Sequence, residues 1–130
     1  MNNKSLSQVV STQQAPAAIG PYSQGIKAGN LVFISGQLPL NPKTGNFVQG
    51  DIEEKTRQAL NNVRAIALAA GADLNNVVKV TIFLADMDDF SAVNKVYSEY
   101  FHGAFPARTT VQVASLPKQA DIEIEAIVSL

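Results

Sequence analysis

Apolar residues return at spacings of three, four and seven through "DIEEKTRQALNNVRAIALAAG", residues 51–71, where Ile52, Ala59, Leu60, Val63, Ile66 and Ala67 share one side. This periodicity predicts an amphipathic helix. Asp51, Glu53 and Glu54 occupy its first turn and complement the helix dipole, while Gly71 suits the left-handed turn at its end. A second helix is predicted over 88–103, "DDFSAVNKVYSEYFHG", with Phe90, Val93, Val96, Tyr97, Tyr100 and Phe101 forming the packing side and Gly103 following.

Between the helices "VVKVTIFLAD", 77–86, is β-branched, aromatic and almost continuously apolar, as a central strand covered on both faces would be. Upstream, "GIKAGNLVFISGQLP" sets Gly29-Asn30 between two strand-like runs, a two-residue hairpin signal, and "NPKTGN" marks a further turn. Two more strands, "RTTVQVA" and "DIEIEAIVSL", are joined through "SLPKQA". The order of strands, helix, strand, helix and strands predicts an α+β fold with two helices on one face of a mixed sheet. The expectation is a single domain over 1–130. The other sheet face has no helix left to cover it, so association of several copies is expected there.

Composition narrows the function. Apolar residues make up 46% and charged residues 16%, enough to bury a core. Ten Lys and Arg against eleven Asp and Glu give no basic footprint, so nucleic acid is not expected as a partner. The chain has no cysteine, which removes thiolate metal sites and cysteine nucleophiles. One histidine, His102, has no HExxH-like companions, and its ordinary reading is a polar residue at a helix end. The start "MNNKSLSQVVSTQQ" lacks the apolar stretch of a secretory signal, and no run of 18 apolar residues occurs. No membrane span and a cytoplasmic location are therefore expected.

Candidate chemistry gathers near the C-terminus. Arg108 presents a planar fork that can hold a carboxylate by two parallel hydrogen bonds, and it can equally be a surface arginine. Alternation on the last strand puts Ile122, Ile124, Ala126 and Val128 on one face and Asp121, Glu123, Glu125 and Ile127 on the other. That second set is either a solvated acidic face or the setting of one desolvated, proton-handling Glu. Were 108–114 and 121–129 a simple hairpin, Gln112 would face Glu123 and Arg108 would stand roughly 13 Å along the strand. A site using both needs a ligand between them, another strand order, or a second chain. "APAAIGPYSQ", 15–24, is a loop stiffened by Pro16, Gly20 and Pro21, with Tyr22 either aimed by it or packed in the core. "SGQ", 35–37, offers a glycine amide that a ligand can approach closely.

These segments, with "VFISGQLPLNPKTG", "QALNNVRAIALAAG", "VVKVTIFLADMDDFSAVNKVYSEYF" and "FPARTTVQVASLPKQADIEIEAI", resemble in order and spacing the RidA (YjgF) family of reactive-intermediate deaminases, from about residue 8 to the end. The resemblance implies a six-stranded mixed sheet with two helices packed on one face, the RidA/YjgF, chorismate-mutase-like fold. It implies homotrimers with sites between subunits and hydrolysis of 2-imino acids, namely 2-iminobutanoate and 2-iminopropanoate, to 2-keto acids and ammonia. In such a site Arg108 clamps the substrate carboxylate, Glu123 acts on the attacking water, and Tyr22, Ser35, Gly36, Asn94 and Thr110 complete the pocket. Neither a metal nor an organic cofactor is implied. One departure stands out: Thr110 occupies a position commonly cysteine in the family. Alternatives for such a chain are a non-catalytic trimer that binds 2-ketobutyrate or acts as a chaperone, and the ribonuclease activity ascribed to some relatives, which the near-neutral charge disfavours.

Overall fold

The structure is a computed structural model that describes residues 7–130; the first part of the polar start, residues 1–6, lies outside the described residues. Helix α1 runs Ile52–Ala69, and the Asp51 carboxylate caps it by accepting from the Glu54 amide at 3.0 Å. Helix α2 is shorter than its sequence pattern, Phe90–Tyr100. Its first predicted residues form a separate 3-10 turn, Met87–Asp89, because the Asp86 carboxylate accepts from the Asp88 amide and starts the turn early.

Six strands form one sheet: β1 Ser7–Val10, β2 Gly25–Ala28, β3 Leu31–Gln37, β4 Val77–Leu84, β5 Ala107–Gln112 and β6 Ile122–Ser129. Their order is β1-β2-β3-β6-β4-β5, with β4 and β5 parallel and every other pair antiparallel. The parallel pair is joined across the sheet by α2, as a parallel connection requires. Gly29-Asn30 closes the β2–β3 hairpin as predicted, with Ala28 opposite Leu31 and Gly29 at φ 62, the positive value a II′ turn asks of its first residue. Strand β1 escaped prediction; four residues are too few to show alternation.

Both helices cover one face, as expected. Ile122, Ile124, Ala126 and Val128 of β6 are buried there with Leu60, Val63, Ile66 and Ala67 of α1 and Val93 and Val96 of α2. Each large side chain so buried contributes about 1.5–3 kcal/mol. On the opposite face Phe33 is left 44% exposed.

Two expectations need correction. Strand β4 is neither the middle of the sheet nor covered on both faces: β3 and β6 are central, and Val80, Ile82 and Leu84 are buried while Thr81 and Phe83 between them, and Lys79 before them, are only partly so. Its continuous apolarity reflects β-branched packing and an open face, not a second helical layer. Nor do β5 and β6 form a hairpin. Strand β4 lies between them, so Gln112 pairs with Leu84 and Glu123 with Phe83.

Candidate active site

Glu123 belongs to the open face of β6, because its neighbours Ile122 and Ile124 point into the core. Facing it, β3 carries a bulge: Ile34 pairs with Ala126 and Gln37 with Ile124, so three steps on β3 oppose two on β6. The extra residue swings Ser35 and Gly36 to the Glu123 side. A Cβ on Gly36 would come 2.7 Å from the Glu123 Cδ, so only glycine lets this carboxyl lie flat against the backbone. Burial, reinforced by repulsion from Glu125, raises the Glu123 pKa above the usual glutamate value. A carboxyl tuned this way is suited to taking and returning a proton.

A cavity of about 620 Å³ opens over this carboxyl, lined by Tyr22, Ser35, Gly36, Leu38, Lys118 and Glu123 among others. Its rim includes Lys118, a non-glycine residue in left-handed conformation at φ 57, which Gln119 follows at the same φ. Tyr22 is 52% exposed, which settles the choice left open above: its ring is not core packing. The loop that carries it is fastened by one side chain. Gln24, 4% exposed, accepts from the Thr12 amide at 2.7 Å and donates to the carbonyls of Thr12, Ala15 and Pro16. The Ser35 hydroxyl donates to the Ser23 carbonyl at 2.6 Å and the Ser35 amide to the Gln24 carbonyl at 2.9 Å. Ser35 thus ties the loop to the bulge as well as lining the cavity.

The other residues gather at the sheet's far edge, on the helix side. Of the three arginines, Arg57 pairs with Glu99 and Arg64 with Asp73, while Arg108 has no acid among the described residues. Its guanidinium lies instead over two rings of α2, 4.9 Å from the centre of Tyr97 and 5.6 Å from that of Phe90. Asn94 is on the same helical stripe, between those two rings in sequence. Thr110 follows Arg108 by two on β5, so both face α2. The hydroxyls of Thr110 and Tyr97 are buried without a hydrogen-bond partner, and burial pushes the Tyr97 phenol up to about 12.

Within one chain these two groups do not meet. Arg108 pairs through Val80 with Ala126, three residues from Glu123 and two strands away, which is roughly 10 Å along the strands and 10 Å across them. They also point to opposite faces of the sheet. Each face therefore carries one group of the candidate residues: a cation with Asn94 and Thr110 on one, a half-buried carboxyl with Tyr22, Ser35 and Gly36 on the other. His102, outside both, lines a smaller cleft with Arg57 and Arg64, whose charges Glu99 and Asp73 already balance.

Sequence reasoning missed Gln24, whose role comes from its burial, and the bulge, which no periodicity announces. Phe90 and Tyr97 were legible as one helical stripe but read as packing alone. The signal was there in the four-and-three spacing of Phe90, Asn94 and Tyr97, all on the side that β5 approaches.

A family model described as Endoribonuclease L-PSP matches residues 12–130. The Arabidopsis thaliana protein named Reactive Intermediate Deaminase A, chloroplastic, is 57% identical over 95% of this chain and 66% of its own length. The human 2-iminobutanoate/2-iminopropanoate deaminase is 50% identical over 92% of this chain and 88% of its own. Among solved structures, the YjgF gene product of E. coli superposes with a TM-score of 0.88 at 48% identity, covering 94% of this chain and 98% of that one. The crystal structure of E. coli TdcF with bound serine gives 0.89 at 43%, over 95% and 98%. By fold, by sequence over nearly its whole length and by the segments that carry both groups of candidate residues, this chain belongs to the endoribonuclease L-PSP family, that of the RidA and YjgF proteins.

Proposed function

We propose that the protein is a 2-iminobutanoate/2-iminopropanoate deaminase, hydrolysing reactive 2-imino acids to 2-keto acids and ammonia. Arg108 holds the substrate carboxylate through two parallel hydrogen bonds. Ionised Glu123 takes a proton from water as its oxygen attacks the C=N carbon and delivers that proton to the imine nitrogen as the double bond opens, giving a carbinolamine. Glu123 then takes the carbinolamine hydroxyl proton and passes it to the amine as the C–N bond breaks, so that ammonia leaves, the carbonyl forms and the carboxylate is regenerated. Tyr22, Ser35, Gly36, Asn94 and Thr110 shape the pocket, and the chemistry uses side chains and water alone.

What carries this reading is one pairing of features in a chain about half identical to named deaminases: an arginine without an acid, and a buried carboxyl whose pKa is raised. The relative with bound serine supports a small amino-acid-like carboxylate as ligand. Because Arg108 and Glu123 face opposite sides of the sheet, the working unit in this proposal is a homotrimer in which one subunit's Arg108 edge closes over its neighbour's Glu123 cavity. The half-exposed Phe33 on the open face favours such burial. The proposed setting is the cytoplasm; among the described residues no helix is long and apolar enough to cross a membrane, and one relative is named chloroplastic. The endoribonuclease of the family description is not favoured, since a net charge of −1 and a single histidine supply neither an RNA-binding surface nor a histidine pair.

The test generates the imines in place with an amino-acid oxidase and follows their decay. Faster decay with the protein than without it supports the proposal. Binding of 2-ketobutyrate with an unchanged decay rate replaces the enzyme by a carboxylate-binding protein.

A further inference from the structure

Three polar groups are left without partners in one place. Arg108 is the arginine that no acid meets. Among the described residues, two buried side-chain polar atoms lack a hydrogen bond, and both adjoin it: the Tyr97 hydroxyl, whose ring carries the guanidinium, and the Thr110 hydroxyl, two residues along the same strand face. Elsewhere the buried polar side chains are satisfied: Gln24 on its loop, Gln37 on the Ser35 carbonyl, Thr56 on the Ile52 carbonyl and Asn62 on the carbonyls of Leu38 and Leu40.

Packing explains the Tyr97 ring and not its oxygen. The ring meets Phe101 at 4.7 Å and stacks near Phe105 at 6.3 Å, contacts that phenylalanine would make equally. A buried hydroxyl with no partner is a cost that phenylalanine would avoid. The residue is 4% exposed, so water does not serve it freely. An acceptor that arrives with a ligand accounts for both orphaned hydroxyls and for the unmatched cation together. Burial also keeps the phenol protonated far above neutral pH, leaving it a donor throughout the working range.

We propose that Tyr97 is a binding and positioning residue for the carboxylate. With Phe90 it holds the Arg108 guanidinium at rest, and its hydroxyl donates to the carboxylate when the guanidinium turns off the ring to clamp it. Thr110 supplies a second neutral donor on the same side. The inference rests on the reading of Arg108 as the carboxylate clamp, and it narrows the ligand to free acids: an ester or amide offers these donors one acceptor fewer and no charge.

The experiment uses three variants of the full chain, with affinity for 2-ketobutyrate by calorimetry, imine kinetics and thermal melting for each. Tyr97→Phe should weaken 2-ketobutyrate about tenfold and raise KM in step, with kcat within twofold of the parent and a melting temperature equal or higher. Phe90→Leu, which keeps bulk and loses a π face that holds the guanidinium only in the empty protein, should leave binding unchanged or tighten it up to several-fold, and weaker binding overturns the resting role. Unchanged affinity in Tyr97→Phe overturns the inference. So does a lower melting temperature, which would show that the hydroxyl has a partner within the fold or a neighbouring copy. Arg108→Ala separates the two layers: parent-like affinity there sinks the carboxylate clamp itself, whereas lost affinity there beside a parent-like Tyr97→Phe sinks only the role of Tyr97.

Discussion

Gly36→Ala isolates the placement of one carboxyl from everything else in the fold. The added methyl would stand 2.7 Å from Glu123 Cδ, 2.9 Å from Cγ and 3.0 Å from Oε1. Ordinary carbon contacts begin near 3.5 Å, so the carboxyl has to move by roughly 1 Å. The end of a glutamate side chain can do this, at about 0.5–1.5 kcal/mol for a strained rotamer. Replacing glycine within a strand returns about 0.5–1 kcal/mol through reduced backbone entropy. Gly36 does not have a positive φ, so alanine strains nothing there. The net change in stability is near zero, and the melting temperature should stay within about 4 °C of the parent. Catalysis should suffer far more, since a misplacement of about 1 Å costs on the order of 100-fold. The assay is kcat/KM for enzymatically generated 2-iminobutanoate, beside the affinity for 2-ketobutyrate, which Arg108 should keep within a few-fold. A parent-like kcat would show that the position of Glu123 does not matter to turnover. A drop in melting temperature beyond about 10 °C would show that neither the bulge nor the Glu123 side chain can give.

Arg108→Lys keeps the charge and loses the two-point fork; with one charge-assisted hydrogen bond gone, worth about 1.5–3 kcal/mol, kcat/KM should fall roughly 10- to 100-fold, and an unchanged value would remove the clamp. Glu123→Gln should cut imine hydrolysis while sparing 2-ketobutyrate affinity, with Glu125→Gln close to the parent; equal losses in both would contradict the assignment. The same Glu123→Gln variant should melt above the parent at pH 7. The folded pKa is raised, so the stability Glu123 contributes is present in acid and lost as pH rises through that raised value, and the gap should close on titration to pH 4. Co-refolded Glu123→Gln and Arg108→Ala chains should recover activity above that of either alone, and a monomer by sedimentation at assay concentration would end the trimer proposal. Thr110→Cys should change kcat/KM only several-fold, because water attack needs no thiolate; a gain of orders of magnitude would show that the native chain is a binder.

The helices and the face of β6 were legible because their patterns are local. Ile122, Ile124, Ala126 and Val128 alternate, and the chain folds them inward. The strand order was not legible. Nothing in "RTTVQVA" says that it pairs with residues 79–84 across a helix in preference to the nearer β6, since the choice is made by where α2 packs. For the same reason the expected 13 Å separation kept Arg108 and Glu123 out of direct contact, as they are, but by the wrong geometry. Their true separation includes a change of face, which only the interposed β4 creates. Among site residues, chemistry identified Arg108 and Glu123 as candidates, and family likeness chose between Glu123 and Glu125. The structure adds a physical distinction between those two: Glu123 lies in contact with Gly36, and Glu125 is exposed.

Strand β5 hydrogen-bonds to a neighbour on one side only and has no fully buried residue. It is thus among the first parts of the sheet to open, at a free energy well below that of global unfolding. Amide exchange of Arg108–Gln112 should be fast in the empty protein and should slow in proportion to one plus the ratio of ligand concentration to Kd. A ligand that clamps Arg108 would then register along the whole edge, and exchange in the central strands would stay as it was. In the proposed mechanism the residue that clamps the carboxylate thus stands on the least protected edge of the sheet, while the one that handles protons stands on a central strand.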